Sequence, residues 1–246
     1  MADQTETGLP ASIEMAWGVR DRPAKGPKRG LSLERIVAAA VDVAVRDGLE
    51  AVSMGRVAKD LGTGAMSLYR YVGAKDELLA LMLDAACGAP PQPGRPGEGW
   101  RAGLACWAWG LLGVWRRHPW ALRVPLTGLP TTPNQIAWME AGLACLRGTG
   151  LTERARLSVM LLIVGFVRND ATINMQLWAR SPAEQREAVA GYGRTLATLL
   201  DPARFPELTA VLGAGVMNDD DPPDDEFTFG LDRILDGVAA LIEKAD

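Results

Sequence analysis

Between Ser53 and Leu79 the chain reads SMGRVAKDLGTGAMSLYRYVGAKDELL, and its glycines leave no room for one long helix. Gly62 follows Leu61 where a helix C-terminus calls for positive φ, and Gly64 lets the backbone bend again before Ala65 to Val72. The spacing predicts two short helices separated by a tight turn, then a third helix. Val57, Leu61, Leu68 and Val72 then face inward together. Ser67, Tyr69, Arg70 and Tyr71 are left pointing away from that small core. A hydroxyl, cation and aromatic set of this kind suits a polyanion better than a catalytic cleft, so the stretch reads as a DNA-binding helix-turn-helix.

The net charge of −4 argues against nucleic acid until it is divided along the chain. Residues 1–19 carry −3, residues 20–75 carry +5 (eleven Lys/Arg against six Asp/Glu), and residues 76–246 carry −6. A basic module on an acidic body favours phosphate contact at one end and discourages the rest from lying on DNA.

A short helix, Leu-Gly, a turn, then Ser-Leu-Tyr-Arg-Tyr followed by Lys-Asp-Glu-Leu-Leu resembles the TetR/AcrR family of bacterial repressors. The close match covers about residues 32 to 87; the remainder is similar to the family only in length and helical texture. The resemblance implies an all-α homodimer with an N-terminal three-helix DNA-binding domain and a larger C-terminal ligand-binding and dimerisation domain. It also implies that Ser53, Ser67, Tyr69, Tyr71 and Lys75 contact operator DNA. Thr63, Ala65 and Arg70 complete the candidate contact set. The chain departs from a strongly base-reading pattern at Thr63, Gly64, Ala65 and Met66, because small and apolar groups cannot make bidentate base contacts.

The expected organisation is a flexible basic arm over 1–31, the helix-turn-helix domain over 32–87, and a helical ligand-binding and dimerisation domain over 88–246. Arg20, Arg22, Lys25, Lys28 and Arg29 give the arm its charge, suited either to a minor groove or to solvent, and Trp17 hints at docking. Ser32 and Ser53 are expected N-caps, Ser53 doubling as a phosphate seat. Ala89 to Gly99, with four prolines, cannot continue a helix. Beyond it, long apolar helices are expected at about 100–117, 133–148, 152–179, 182–200 and 227–244, with a short one near Pro119 to Val124. Those at 152–179 and 227–244 offer apolar stripes for a four-helix bundle with a second copy, Leu235 and Leu241 at its seam. Asn218 to Glu226 is an acidic loop without calcium-loop spacing.

Enzyme chemistry finds little support. The single histidine, His118, precedes Pro119, with no nucleophile elbow or Gly-rich phosphate loop around it. Cys87, Cys106 and Cys145 are too few and too widely spaced for a disulfide framework or a tetrahedral metal site, and read as buried thiols. The first 30 residues lack a signal-peptide core, and the longest uninterrupted apolar runs fall short of the roughly 20 residues of a membrane span. A cytoplasmic protein without cofactor or metal is expected.

Six of the eight tryptophans lie between Trp100 and Trp138. Indole offers a broad apolar face with one donor, suited to a cavity for flat organic molecules or, equally, to a plain core. Trp107, His118, Trp138, Asn169 and Gln176 are the candidate ligand contacts, the last two placed seven apart on one predicted helix. Arg168-Asn169-Asp170 interrupts that apolar helix, and any buried polar group there requires a partner. The expected function is a repressor that leaves its operator when a small apolar or aromatic molecule binds. Two rivals stay open: a helical enzyme with an accessory DNA-binding domain, and a helical DNA-binding protein whose tryptophans are only core.

Overall fold

The computed structural model describes residues 7–20, 31–92, 99–125, 128–177, 179–218 and 224–245, and helices are the only regular secondary structure among them. The α-helices are α1 (Ala11–Ala16), α2 (Leu33–Asp47), α3 (Met54–Asp60), α4 (Ala65–Leu68), α5 (Lys75–Cys87) and α6 (Gly99–Arg117). They continue as α7 (Pro133–Cys145), α8 (Glu153–Asn174), α9 (Pro182–Leu199), α10 (Pro206–Gly213) and α11 (Asp225–Glu243).

Helices α2 to α5 form the head. Ser32 Oγ accepts from the Arg35 N–H at 3.3 Å and Ser53 Oγ from the Arg56 N–H at 3.2 Å, so each hydroxyl satisfies one amide that its helix start leaves orphaned. Gly48 (φ 87°) and Gly62 (φ 63°) stop α2 and turn the chain out of α3 in a region that disfavours side chains. Ile36, Ala40, Val43, Val57, Leu68, Val72, Leu78 and Met82 then meet with no exposed surface. Burying each of the larger ones contributes about 1.5–3 kcal/mol.

Residues 7–20 differ from the expected flexible arm. Pro10 supplies φ −56° ahead of α1, and the apolar Leu9, Ile13 and Ala16 repeat at helical spacing, so the segment docks instead of fraying. Ile13 is buried, Ser12 Oγ donates to Glu77 Oε2 at 2.5 Å, and Trp17 Nε1 donates to the Thr131 carbonyl at 2.7 Å. Helix α1 is therefore a strut from the start of α5 to the loop before α7. The basic run Arg22, Lys25, Lys28 and Arg29 lies outside the described residues, as do Trp178 and the centre of the acidic loop.

The remaining helices form the body around α6, which packs on α7 and α8, with α11 against α8 and beside α6. Gly230 brings α11 so close that a Cβ there would lie 2.6 Å from the Phe166 ring. Phe166 stacks on Phe227 at 5.3 Å and Phe227 meets Trp109 edge-on at 4.6 Å. Leu235 sits in this same seam with 1% exposure, inside its own protomer and not at a surface for a second copy, whereas Leu241 is exposed. The expectation for Leu235 fails because helix α11 already spends its apolar stripe, Phe227, Leu231, Leu235 and Val238, on α8. Helix α10, absent from the expected elements, starts at Pro206 and buries no side chain.

Helix α8 is also long and apolar enough to cross a membrane, although no single uninterrupted run in it is. Its inner residues Val159, Met160, Ile163, Val167 and Ala171 are buried, while Leu157, Leu161, Leu162 and Ile173 face outward. Both faces of the helix are therefore apolar, and only the inner one is buried within the chain.

Candidate nucleic-acid interface and effector region

Helix α4 hangs on Leu68, which has no exposed surface, and at about 100° per residue the side opposite Leu68 turns to solvent. Ser53, Tyr69, Arg70 and Lys75 are exposed and Thr63, Ala65 and Ser67 half-buried, so all seven reach the surface of the head. Tyr71 is different. It is half-buried against the core and its hydroxyl donates to the Leu31 carbonyl at 3.2 Å, so it does not point away as expected. The helical turn tightens after Leu68, which swings Tyr71 toward the start of α2. Sequence reasoning left Met66 out of the contact set, yet it is 78% exposed. Its exposure was available from the same helical spacing that buries Leu68.

Charge on the head is partly neutralised. Arg46 pairs with Asp60 at 2.6 Å, and Arg56 reaches Asp47 at 2.7 Å and Asp60 at 3.3 Å. The Arg46 hydrogen bond, with Arg56 nearby, holds the Asp60 carboxyl below the usual carboxylate range. Lys59, Arg70 and Lys75 are exposed and make no ion pair among the described residues, which leaves them for an external anion. Ser53, its oxygen used as cap acceptor, retains a hydroxyl proton to donate beside the α3 amides.

The head joins the body through polar contacts at the start and the middle of α7. Buried Asp84 of α5 accepts from the Asn134 and Gln135 N–H groups at 2.9 and 3.1 Å and from Asn134 Nδ2 at 3.0 Å, so it caps α7 across the junction. Trp138 Nε1 donates to the Gly88 carbonyl at 3.0 Å, and Trp107 Nε1 to the Trp138 carbonyl at 2.9 Å. The two indoles lie 6.3 Å apart and tilted. Burial, with the Asp84 charge nearby, pushes the Cys87 thiol up to about 12. Cys106, expected to be buried, is exposed because it falls on the outer side of α6.

The five candidate ligand contacts do not come together. Trp107 and Trp138 commit their donors to backbone carbonyls in the joint. His118 lies eleven residues further along, about 16 Å at 1.5 Å per residue. Asn169 and Gln176 are exposed, Asn169 on the outward side of α8 and Gln176 past its end, and neither faces the tryptophans. The helix expected to carry both on one face stops at Asn174, short of Gln176, and Asn169 lies on the face of α8 that is not buried.

A different cluster surrounds His118. In W115-R-R-H-P-W120 the helix ends before Pro119 and a tight turn follows, which brings His118 and Trp120 within 6.0 Å edge to face. Trp115 and Trp120 are buried, and their Nε1 donors, like His118 Nδ1, have no hydrogen-bond partner among the described residues. Arg168 lies over the Trp115 ring at 5.4 Å and donates to the Leu122 carbonyl at 2.9 Å. Burial lowers the His118 pKa, with Arg117 adding to it, and raises that of Asp170, which accepts from Asn174. The signal was legible as three polar-tipped rings in six residues around a helix-stopping proline. No group of three metal-ligating side chains occurs among the described residues.

Comparison with known proteins bears on both regions. Residues 36–82 match the family model described as bacterial regulatory proteins, tetR family, and residues 92–242 that described as tetracyclin repressor-like, C-terminal domain. The chain is 41% identical over 256 residues to the HTH-type transcriptional repressor DrrR1 of Streptomyces coeruleorubidus, covering 99% of this chain and 92% of that one. Apo ActR from Streptomyces coelicolor aligns at a TM-score of 0.73 and 27% identity, covering 89% of this chain and all of ActR. ActR in complex with actinorhodin aligns at 0.72 and 29%, covering 87% and 97%.

Proposed function

This chain belongs to the TetR family of bacterial regulatory proteins, and we propose that it is a homodimeric repressor that a small, mainly aromatic molecule releases from operator DNA. The observation that carries the DNA half is the exposed end of the head, where Tyr69, Arg70 and Lys75 stand unpaired beside the capped start of α3. Ser53, Thr63, Ala65, Ser67, Tyr69, Arg70 and Lys75 are the contact set. Tyr71 holds the entry of α2 through Leu31, and so acts on DNA only by keeping the head in shape.

Dimerisation supplies a second recognition helix, and a palindromic site then requires half-sites about 34 to 36 Å apart. The outward residues of α8, Leu157, Leu161, Leu162 and Ile173, are the surface for it. The effector binds near Trp115, His118 and Trp120, whose buried donors suit carbonyl or phenolic oxygens on a flat ring system. The likeness to ActR, known in complex with actinorhodin, supports a small-molecule effector. Release is a population shift: the effector favours a spacing of the two heads that no longer matches the operator. The Asp84 and Trp138 hydrogen bonds are the connection between body and head.

Selection of duplexes from a random pool by the full chain tests the reading, followed by sedimentation of the complex. An enriched palindrome bound by two chains is expected. Absence of any enriched sequence overturns it. Trp120→Phe keeps the ring and removes the donor, and should weaken an effector found by DNA release without changing operator affinity.

A further inference from the structure

We infer that Met66 reads thymine, by packing its thioether arm against the C5 methyl group in the major groove. The inference rests on the DNA-binding reading of α4 and names what that helix recognises. Leu68 is fully buried, and Met66, two residues earlier and about 200° around the helix, therefore stands on the ridge furthest from the core. At 78% exposure it is the most exposed large apolar side chain in the head. Among the described residues it is not packed on the core.

The surroundings favour an apolar contact. Gly62 and Gly64 are exposed, a Cβ built on either would meet nothing within 4 Å, and Ala65 follows. The nose of α4 is thus narrow enough to let Met66 reach the floor of the groove. From Thr63 to Ser67 no amide or guanidinium is present to form a bidentate pair with adenine or guanine. Thymine alone among the bases presents a methyl group in that groove, and an unbranched, polarizable side chain adapts to it. Arg70 and Lys75 position the helix through phosphates, and Met66 supplies discrimination.

Deoxyuridine in place of thymidine removes that methyl group and leaves pairing intact. The experiment uses duplexes that the full chain selects from a random pool, with each thymine replaced in turn by uracil. At one position per half-site the wild type should lose about fourfold in affinity for each methyl removed, the worth of one buried CH₂. Met66→Ala should bind thymine and uracil duplexes alike at that position, and Met66→Leu should keep most of the preference. The inference is overturned if no uracil position weakens the wild type, or if Met66→Ala keeps the full penalty. A pool that yields no enriched sequence overturns the DNA reading itself, which separates the two failures.

Discussion

Leu68 and Leu161 are the same residue type in helices of one chain, yet the first has no exposed surface and the second keeps 55% of its own. In the head, four helices close around one small core, and nearly every large apolar residue is used within the protomer. Across α8 only the inner side is used. Leu161, Leu162 and Ile173 stay open, and α9 and α10 continue the pattern with Tyr192, Leu199 and Val211 exposed. A cluster of exposed apolar residues on one helix favours an interaction site, whereas leucines exposed singly are ordinary. The head buries its apolar residues by folding, whereas the outer side of α8 keeps several exposed.

That contrast breaks first if the inner side of the body proves as tolerant as the outer. Leu235→Glu places an unpaired charge in the α8–α11 seam and should cost at least about 3–5 kcal/mol, enough to abolish a cooperative thermal transition. Leu68→Ala in the head should cost about 2–5 kcal/mol in urea unfolding, because the site is fully enclosed. The double substitution Leu161→Glu and Leu162→Glu should leave far-UV circular dichroism unchanged while sedimentation shows monomers and operator affinity falls. Dimers that survive it would move the interface to another surface.

Smaller effects sharpen the comparison. Lys75→Ala should lower the slope of log affinity against log salt by about one, uniformly across DNA sequences. His118 gives the smallest. Its pKa in the folded protein is lowered, so the unfolded chain binds more protons as pH falls toward and below about 6.5, and stability falls with it. His118→Gln should remove that part of the slope between pH 7 and 5, read from thermal midpoints. An unchanged slope would place the acid sensitivity elsewhere.

The head was almost fully legible because its signals are local. Ser32, Gly48, Ser53 and Gly62 act on the backbone within four residues of themselves, and the positions of α2 and α3 follow from them. Tyr71 was misplaced because its outcome depends on a carbonyl forty residues earlier, at Leu31. The body was legible in its helices and not in its site. Helix α8 stops at Asn174, short of Gln176, and which of its faces meets α6 is decided by tertiary packing that periodicity does not encode when both faces are apolar. The tryptophans were counted correctly as a group. Only the structure separates Trp107 and Trp138, whose donors are committed to carbonyls, from Trp115 and Trp120, whose donors are not.

Helix α1 has an optical consequence. Trp17, at its end, is 42% exposed and tied to Thr131, while Trp107, Trp115, Trp120 and Trp138 are buried. Its emission is therefore redder than theirs and open to an aqueous quencher that cannot reach them. A collisional quencher such as iodide therefore lowers the strut's emission ahead of those four buried indoles, and that accessible fraction should change if Trp17 lets go of Thr131.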